Sequence, residues 1–317
     1  MDEALIRSQL NNTLVETDFP ELGSLYRGKV RDNYTTASGL RIIIASDRLS
    51  AFDRVLTSIP FKGQLLNQMT AFWFERTKDV VPNHVVEVPD PNVMVVSEAQ
   101  PLPIEMVIRG YITGSAWRAY ENGELVSGIV FPEGLLKNQQ LAEPVITPTT
   151  KAVTGHDEAI SREEILAKEI IPEETYAQME EMTFKLFEAG SRMCADNNII
   201  LVDTKYEFGL VGDQLVVIDE IHTPDSSRFW IKGTYQDLFS AGEEPEILDK
   251  EFFRGWLMDQ GYMGDGVPPE ITDDVRVELA QRYAQAFQTI TGQDFEPPAD
   301  DTPILERIKA NLTKYFP

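Results

Sequence analysis

The chain has 317 residues, 42% hydrophobic and 25% charged, enough for one large core or for two to three closely packed ones. Its 52 acids and 28 bases leave a formal net charge of −24, which argues against DNA or RNA as the principal partner, because phosphate contacts need a basic surface. A lone cysteine, Cys194, excludes an internal disulfide and a thiolate zinc cluster, and His84, His156 and His222 show no metal-ligand spacing.

The opening stretch MDEALIRSQLNNTLVETDFP carries early acids and lacks the apolar run of about 7–15 residues that marks a signal peptide. No segment approaches the roughly 18 apolar residues of a membrane span. A cytoplasmic protein is expected. Residues 241–301 hold 15 acids and 4 bases, a net of −11, which reads as a highly soluble surface or as adaptation to a salty cytoplasm.

In chain order, the first third reads as β-rich. SLYRGKVRDNYTT and LRIIIASDR have strand composition, separated by a turn signal at Ser38-Gly39. GQLLNQMTAFWFERTKDV sets Leu65, Leu66, Met69, Phe72 and Trp73 at helical spacing. HVVEV, NVMVV and EMVIRGYI resume strands, with proline-rich joints at 89–91 and 101–103. A long Thr/Pro loop is expected over 143–160, and Ser161–Glu164 fits the capping box that opens a helix. A helix over 173–195 leads to a hairpin at 201–221, and helices follow at 249–260, 272–291 and 303–315. Strands first and helices later, without regular β-α-β alternation, predict the α+β class rather than a doubly wound sheet.

Several stretches carry chemistry. GSLYRGKV, Gly23 to Val30, begins like a phosphate-binding loop and then departs, because Val30 stands where Ser or Thr is needed and VRDNY reads as strand, not helix. Gly28, Lys29 and Arg31 remain. The glycine admits a phosphate close to the backbone, and the two bases, expected on one strand face, supply charge. In EMVIRGYITGSAWRAYENG, Glu105, Val107 and Arg109 share a strand face, and Gly114-Ser115 opens a short helix that Asn122-Gly123 closes. Ser115 reads as the N-cap, and the same geometry offers amides to an anion near Arg109. In ITPTTKAVTGHDEAIS, Lys151 and Asp157 are either ligand contacts made on loop closure or solvated charges. In IHTPDSSRFW, Asp225 fits a turn cap and Arg228 its ion-pair partner.

The hairpin LVDTKYEFGLVGDQLVVIDEI is the most informative segment. Alternation puts Asp203, Lys205 and Glu207 on one face and Val202, Thr204, Tyr206 and Phe208 on the other. A three-residue loop, Gly212 to Gln214, faces Glu207 with Asp219. A two-residue turn at Gly212-Asp213 pairs Glu207 with Ile218 and turns Asp219 away. Carboxylates meeting across strands repel unless a cation lies between them, and Mg²⁺, held by one or two carboxylates plus substrate phosphates, is the natural candidate.

YRGKVRD, ASDRLSAFD, IRGYITGSAW, TPTTKAVTGHDE, VDTKYEFG and DEIHTPDSSRFW, in this order over residues 26–230, resemble the motif series of the phosphoribosylaminoimidazole-succinocarboxamide synthase (SAICAR synthetase) family in its longer version. Val153-Thr154 sits where relatives often carry more polar residues. The resemblance implies a β-rich nucleotide-binding domain over 1–112, a larger α+β domain with the substrate and metal site over 113–240, an ATP cleft between them, and a helical region over 241–317 packed on the body. It implies an ATP-dependent ligase of purine biosynthesis that condenses L-aspartate with the carboxylate of carboxyaminoimidazole ribonucleotide through an acyl phosphate, releasing ADP and phosphate.

Carried over by position, Gly28, Lys29 and Arg31 resemble the groups that hold the ATP phosphates, and Glu207 and Asp219 the Mg²⁺-linked carboxylates. Lys205 is implied in stabilising the transferring phosphoryl group. Glu105, Arg109, Ser115, Asp203, Asp225 and Arg228 resemble the lining of the ribonucleotide site, with Lys151 and Asp157 added from the loop. Asp203 is the candidate base. Another ATP-dependent ligase or a small-molecule kinase on the same scaffold is the alternative, and a non-catalytic nucleotide-binding protein a further one. All three substrates are anions and distant acids are screened beyond about 8–10 Å, so Lys29, Arg31, Arg109, Lys205 and Arg228 are expected to converge.

Overall fold

The computed structural model describes residues 1–151, 158–248, 250–298 and 302–316. Its elements begin with α1 (Glu3–Ser8), β1 (Ser24–Arg27), β2 (Arg31–Thr35), β3 (Leu40–Ala45), β4 (Arg48–Ala51), β5 (Arg54–Ser58), α2 (Lys62–Thr77), β6 (Val85–Asp90) and β7 (Val93–Ser97). There follow β8 (Gln100–Tyr111), α3 (Gly114–Glu121), β9 (Gln140–Ile146), β10 (Thr149–Thr150), α4 (Arg162–Ala167), α5 (Glu173–Asp196), β11 (Ile199–Val211) and β12 (Gln214–Ile218). The last are β13 (Ser227–Ile231), α6 (Lys232–Ala241), α7 (Glu251–Asp259), α8 (Asp273–Thr291) and α9 (Ile304–Asn311).

The α+β class expected from the order of elements is what the chain adopts. Two compact units form, one from Met1–Glu75, His84–Glu98 and Asp249–Pro317, the other from Arg76–Asn83 and Ala99–Leu248. The expected divisions at 112 and 240 do not coincide with them. β8 falls in the second unit because it pairs along β11, and the last helix falls in the first because Ile308 and Leu312 enter that unit's sheet core.

In the first unit an antiparallel sheet runs in the order β1-β2-β3-β7-β6. Alternation buries Tyr34, Ile42, Ile44, Val93 and Val95 on one side, where Ile308 and Leu312 cover them. Arg307 and Asn311 fasten α9 by hydrogen bonds to the Asp90 carboxylate at 3.0 and 2.8 Å. The YRGKVRDNY segment is a hairpin and not the single strand its composition suggests. Arg27 pairs with Asp32, and the Gly28 N–H donates to the Arg31 carbonyl at 2.8 Å, so the chain reverses at residues 28–30. Lys29 therefore lies in a turn and shares no strand face with Arg31.

In the second unit β8 and β11 form the centre of an antiparallel sheet ordered β10-β8-β11-β12, with β13 also on β11 and β9 also on β8. α5 packs against β11 and β8. The part of the expected 143–160 loop before residue 152 is largely strand, because Ile146 pairs with Ile108 and Thr149 with Glu105. The capping box forms as expected, with Glu164 N–H donating to Ser161 Oγ at 3.1 Å and Ser161 N–H to Glu164 Oε2 at 3.0 Å.

Asp47, ahead of β4, is buried and accepts the N–H groups of Leu14 and Gly63 at 2.7 and 2.8 Å. Burial pushes its carboxyl up to about 6, against those hydrogen bonds and the charges of Lys62 and Arg307. A carboxyl raised on folding stabilises below its unfolded value near 3.8, and that contribution is lost as pH rises through about 6. Wild type should therefore lose stability relative to Asp47→Asn between pH 4 and pH 7 in urea titrations. A pH-independent gap would remove this account.

Candidate active site on the polar face of β11

β11 pairs with β8 along its middle, with β12 from Glu207 onward and with β13 up to Thr204. Val202, Thr204, Tyr206 and Phe208 are wholly buried, so Asp203, Lys205 and Glu207 occupy the other face. Register then sets Arg109 opposite Asp203, Val107 opposite Lys205 and Glu105 opposite Glu207 on one side, with Arg228 opposite Asp203 on the other.

Two poles result. At the acidic pole the facing carboxylates of Glu105 and Glu207 are bridged by Lys205, whose Nζ donates at 2.8 Å to Glu105 and 3.3 Å to Glu207. Lys151 pairs with the second Glu207 oxygen, and Thr149 donates to Glu105 at 3.4 Å. Burial lowers the Lys205 pKa, but the charges of Glu105, Asp219 and Glu220 outweigh it, so the ammonium is held above its ordinary value and stays cationic. At the basic pole Asp203 Oδ2 accepts from Arg228 Nη1 at 2.5 Å and from Arg109 Nη1 at 3.3 Å. Arg109 also donates to Thr147 Oγ1 at 2.9 Å and Ser115 Oγ at 3.4 Å. Its pKa is lowered by burial, opposed by Asp203 and reinforced by the positive charges of Arg228 and Arg118. Three guanidinium groups thus share one neighbourhood, which suits an anion.

The hairpin register is the even one. Val211 pairs with Gln214 and Glu207 with Ile218, around a two-residue turn with Gly212 at φ 59°. Strand alternation therefore does not carry Asp219 to the Glu207 face. β12 ends at Ile218, however, and Asp219 takes φ 66°, a left-handed conformation that breaks the alternation. Its charge is felt at Lys205. The next residue, Glu220, is buried and accepts from Thr223 Oγ1 at 2.6 Å.

The cap of α3 is Thr113, and Ser115 is its second residue, a correction to the N-cap expectation. Thr113 directs its hydroxyl to Asn138 at 2.7 Å, while Ser115 faces Arg109. Gly114 has φ 56°, and a Cβ there would lie 2.5 Å from Arg228 Nη2. Asp225 lies in the turn after Glu220, its N–H donating to Thr223 Oγ1 at 3.3 Å.

Of the five bases expected to converge, Arg109, Lys205 and Arg228 come together on this face, while Lys29 and Arg31 belong to the first unit. There Gly28 opens the β1–β2 turn and Lys29 pairs with Asp53. Asp157 lies outside the described residues. Arg118, Thr147, Thr149 and Glu220 were missed; Arg118 alone left a trace, three residues after Ser115 on a helix. Among the described residues no three His, Cys, Asp or Glu side chains converge as a metal cluster. A Mg²⁺ site needs fewer, and the carboxylates of Glu207, hydrogen-bonded to Lys205, and of Asp219, whose charge reaches Lys205, are the hard donors that such an ion takes. Among those residues no helix is long and apolar enough to cross a membrane.

Beneath this face Tyr206 Oη and His222 Nε2 share a 2.5 Å hydrogen bond, both wholly buried. His222 has φ 53° and lies against Gly190 of α5, where a Cβ would come 2.4 Å from its ring.

The SAICAR synthetase family model matches residues 24–270. A putative phosphoribosylaminoimidazole-succinocarboxamide synthase 2 of Mesorhizobium japonicum is 45% identical over 311 residues, covering 96% of this chain and 99% of its own. The phosphoribosylaminoimidazole-succinocarboxamide synthase of Legionella pneumophila strain Paris is 45% identical over 310 residues, with 96% and 98% covered. The SAICAR synthase of Saccharomyces cerevisiae, solved in complex with SAICAR, superposes with a TM-score of 0.78 at 32% identity over 90% of this chain and 100% of that one. A type-2 SAICAR synthetase solved in complex with ADP shares the fold, with a TM-score of 0.68 at 24% identity over 86% of this chain and 100% of that one.

Two outcomes follow from the geometry. Gly114→Ala should destabilise by about 1–2 kcal/mol through the left-handed backbone alone, and further where Arg228 is displaced; an unchanged urea midpoint contradicts it. Burial pulls the His222 pKa down to about 3. A depressed histidine stabilises above its unfolded value near 6.5, and that contribution is lost as pH falls toward 3. Its imidazole NMR signals should therefore stay unshifted between pH 5 and pH 8, and a midpoint near 6.5 would overturn the assignment.

Proposed function

The chain belongs to the SAICAR synthetase family and is an ATP-dependent carbon–nitrogen ligase of purine biosynthesis; on that premise we propose that it joins L-aspartate to the carboxylate of carboxyaminoimidazole ribonucleotide through an acyl phosphate. The observation that carries this reading is the two-poled face of β11, with a carboxylate pair and a cationic lysine at one end and clustered guanidinium groups at the other.

A carboxylate resists amine attack because it is anionic and oxide is a poor leaving group. In the first step its oxygen attacks the γ-phosphorus of ATP and the bond to ADP breaks. The ammonium of aspartate gives one proton to a base, the uncharged amine then attacks the acyl carbon, phosphate departs with the C–O electron pair, and the second proton on nitrogen goes to the departing phosphate. Lys205 would offset the charge of the transferring phosphoryl group, which its raised pKa favours. Arg109, Arg228 and Ser115 would hold the ribonucleotide 5′-phosphate, since guanidinium groups bind phosphate bidentately. Glu105, Asp225, Lys151 and Asp157 complete the proposed lining of that site. Gly28, Lys29 and Arg31 would hold the ATP phosphates. Glu207 and Asp219 would hold Mg²⁺, which when bound neutralises phosphate charge. Asp203 orients the two arginines through Oδ2, and we assign the proton from aspartate to its Oδ1.

ADP release measured with ribonucleotide and aspartate omitted in turn tests the reaction. Release should need the ribonucleotide, and ADP formation indifferent to both would point to another ligase or a kinase. Glu207→Gln should lower kcat by about 10²–10³-fold while the urea midpoint stays close to wild type, because the change also relieves the facing acids. Near-normal kcat would remove Glu207 from the metal site.

A further inference from the structure

The ASDRLSAFD stretch, residues 45–53, lies outside the site described on β11, yet the polar side chains of its first half turn inward. Arg48 is buried, its side chain 7% exposed, and each of its nitrogens is engaged. Nε donates to the Lys29 carbonyl at 2.9 Å, Nη2 to the Gly28 carbonyl at 3.0 Å and to Asp32 Oδ1 at 2.8 Å, and Nη1 to the Val15 carbonyl. Ser46 takes the next carbonyl, with its hydroxyl at 2.8 Å and its N–H at 3.0 Å from Val30 O. Asp32 is fixed in turn, its Oδ2 accepting from Thr17 N–H at 2.7 Å and Thr17 Oγ1 at 2.9 Å. Asp53, from the turn between β4 and β5, pairs with the Lys29 ammonium.

Three consecutive carbonyls of the β1–β2 turn are therefore tied to one buried guanidinium and one serine. The peptides are trans, and across a trans peptide the N–H points opposite to the preceding C=O. Holding the Gly28 and Lys29 carbonyls toward Arg48 aims the N–H groups of Lys29 and Val30 away from it. Two successive amides aimed outward from one turn form a concavity for an anion, and the same turn carries Lys29, whose ammonium Asp53 holds. A free turn would sample other peptide orientations and would have to lose that freedom at the moment of binding.

We infer that Arg48 is a positioning residue that presets the Gly28–Val30 turn, so that the Lys29 and Val30 amides meet the phosphates of the nucleotide. The inference rests on the proposal that this turn holds the ATP phosphates. Arg48 acts through the turn and does not touch the nucleotide, because it is buried and four of its five N–H groups are spent on carbonyls and on Asp32. Lysine keeps the charge at this position and loses the planar fork that spans several acceptors.

The experiment uses the full chain. ADP affinity is measured by calorimetry, and KM for ATP, ribonucleotide and aspartate by ADP release, for wild type, Arg48→Lys, Arg48→Gly, Ser46→Ala and Lys29→Gln. Arg48→Lys should weaken ADP binding and raise KM for ATP by about tenfold, equivalent to about 1.4 kcal/mol, with the other two KM values within twofold. Millimolar guanidinium should restore ADP binding to Arg48→Gly and leave wild type unchanged, a rescue that a general loss of packing would not give. Ser46→Ala, a milder change, should weaken ADP binding at least twofold, and it decides the matter if neither Arg48 variant folds. Loss of ADP affinity in Lys29→Gln with unchanged affinity in a folded Arg48→Lys, or in Ser46→Ala where the Arg48 variants do not fold, overturns the inference and leaves the phosphate reading standing. Unchanged affinity in Lys29→Gln overturns the phosphate reading of the turn, and the inference with it.

Discussion

The second unit depends on a conflict at the centre of its sheet. Tyr206 and Phe208 on β11, with Met106 and Ile108 on β8, are wholly buried in the register of this sheet, and a slip of one residue would turn a whole set of them to the other face. That register sets Glu207 directly opposite Glu105. Burying each large apolar side chain contributes about 1.5–3 kcal/mol, whereas like charges across a strand pair cost about 0.2–1 kcal/mol. Packing wins, and the acids are forced together. Lys205, two residues before Glu207 and so on the same face, is placed by the same alternation to bridge them. The core on one side of the sheet thereby creates the charged pole on the other.

The basic pole has a different origin. Asp203 gathers guanidinium groups from the strands on both sides of β11, so one carboxylate sets two arginines side by side against their mutual repulsion. Gly114 leaves room for the second of them. Against Asp203 stand the guanidinium groups of Arg109, Arg228 and Arg118, a local excess of positive charge in a chain whose total is −24. Local arrangement, not composition, decides where an anion is welcome.

Much of this was legible in the residue order, because strand alternation is a strict rule. The Asp-x-Lys-x-Glu pattern and the Glu105-Val107-Arg109 pattern each named a face, and both faces formed. Asp219 was not legible by that rule, since a left-handed residue after the last ladder pair overrides alternation and no residue type announces it. The 143–151 stretch hid its strands behind prolines and threonines. The glycine–lysine turn was hidden by strand-forming residues on both sides, so its reversal left no signal of length or polarity. Arg48 shows no role in the residue order, because apart from Asp32 its partners are backbone carbonyls, which every residue carries and no sequence pattern can mark.

The core of the first unit is closed by Ile308 and Leu312, although the strands they cover lie between residues 31 and 97. The second unit draws on nothing beyond Leu248. Synthesis runs from the N-terminus and compact units fold as wholes, so the two become foldable in the reverse of their order in the chain. The unit that holds the strands of residues 31–97 waits for α9, and the face that Ile308 and Leu312 cover stays open while about two hundred further residues are made. The Arg48-bound turn lies in this late unit, so a stretch made early is set in its final form only after Ile308 and Leu312 have been made.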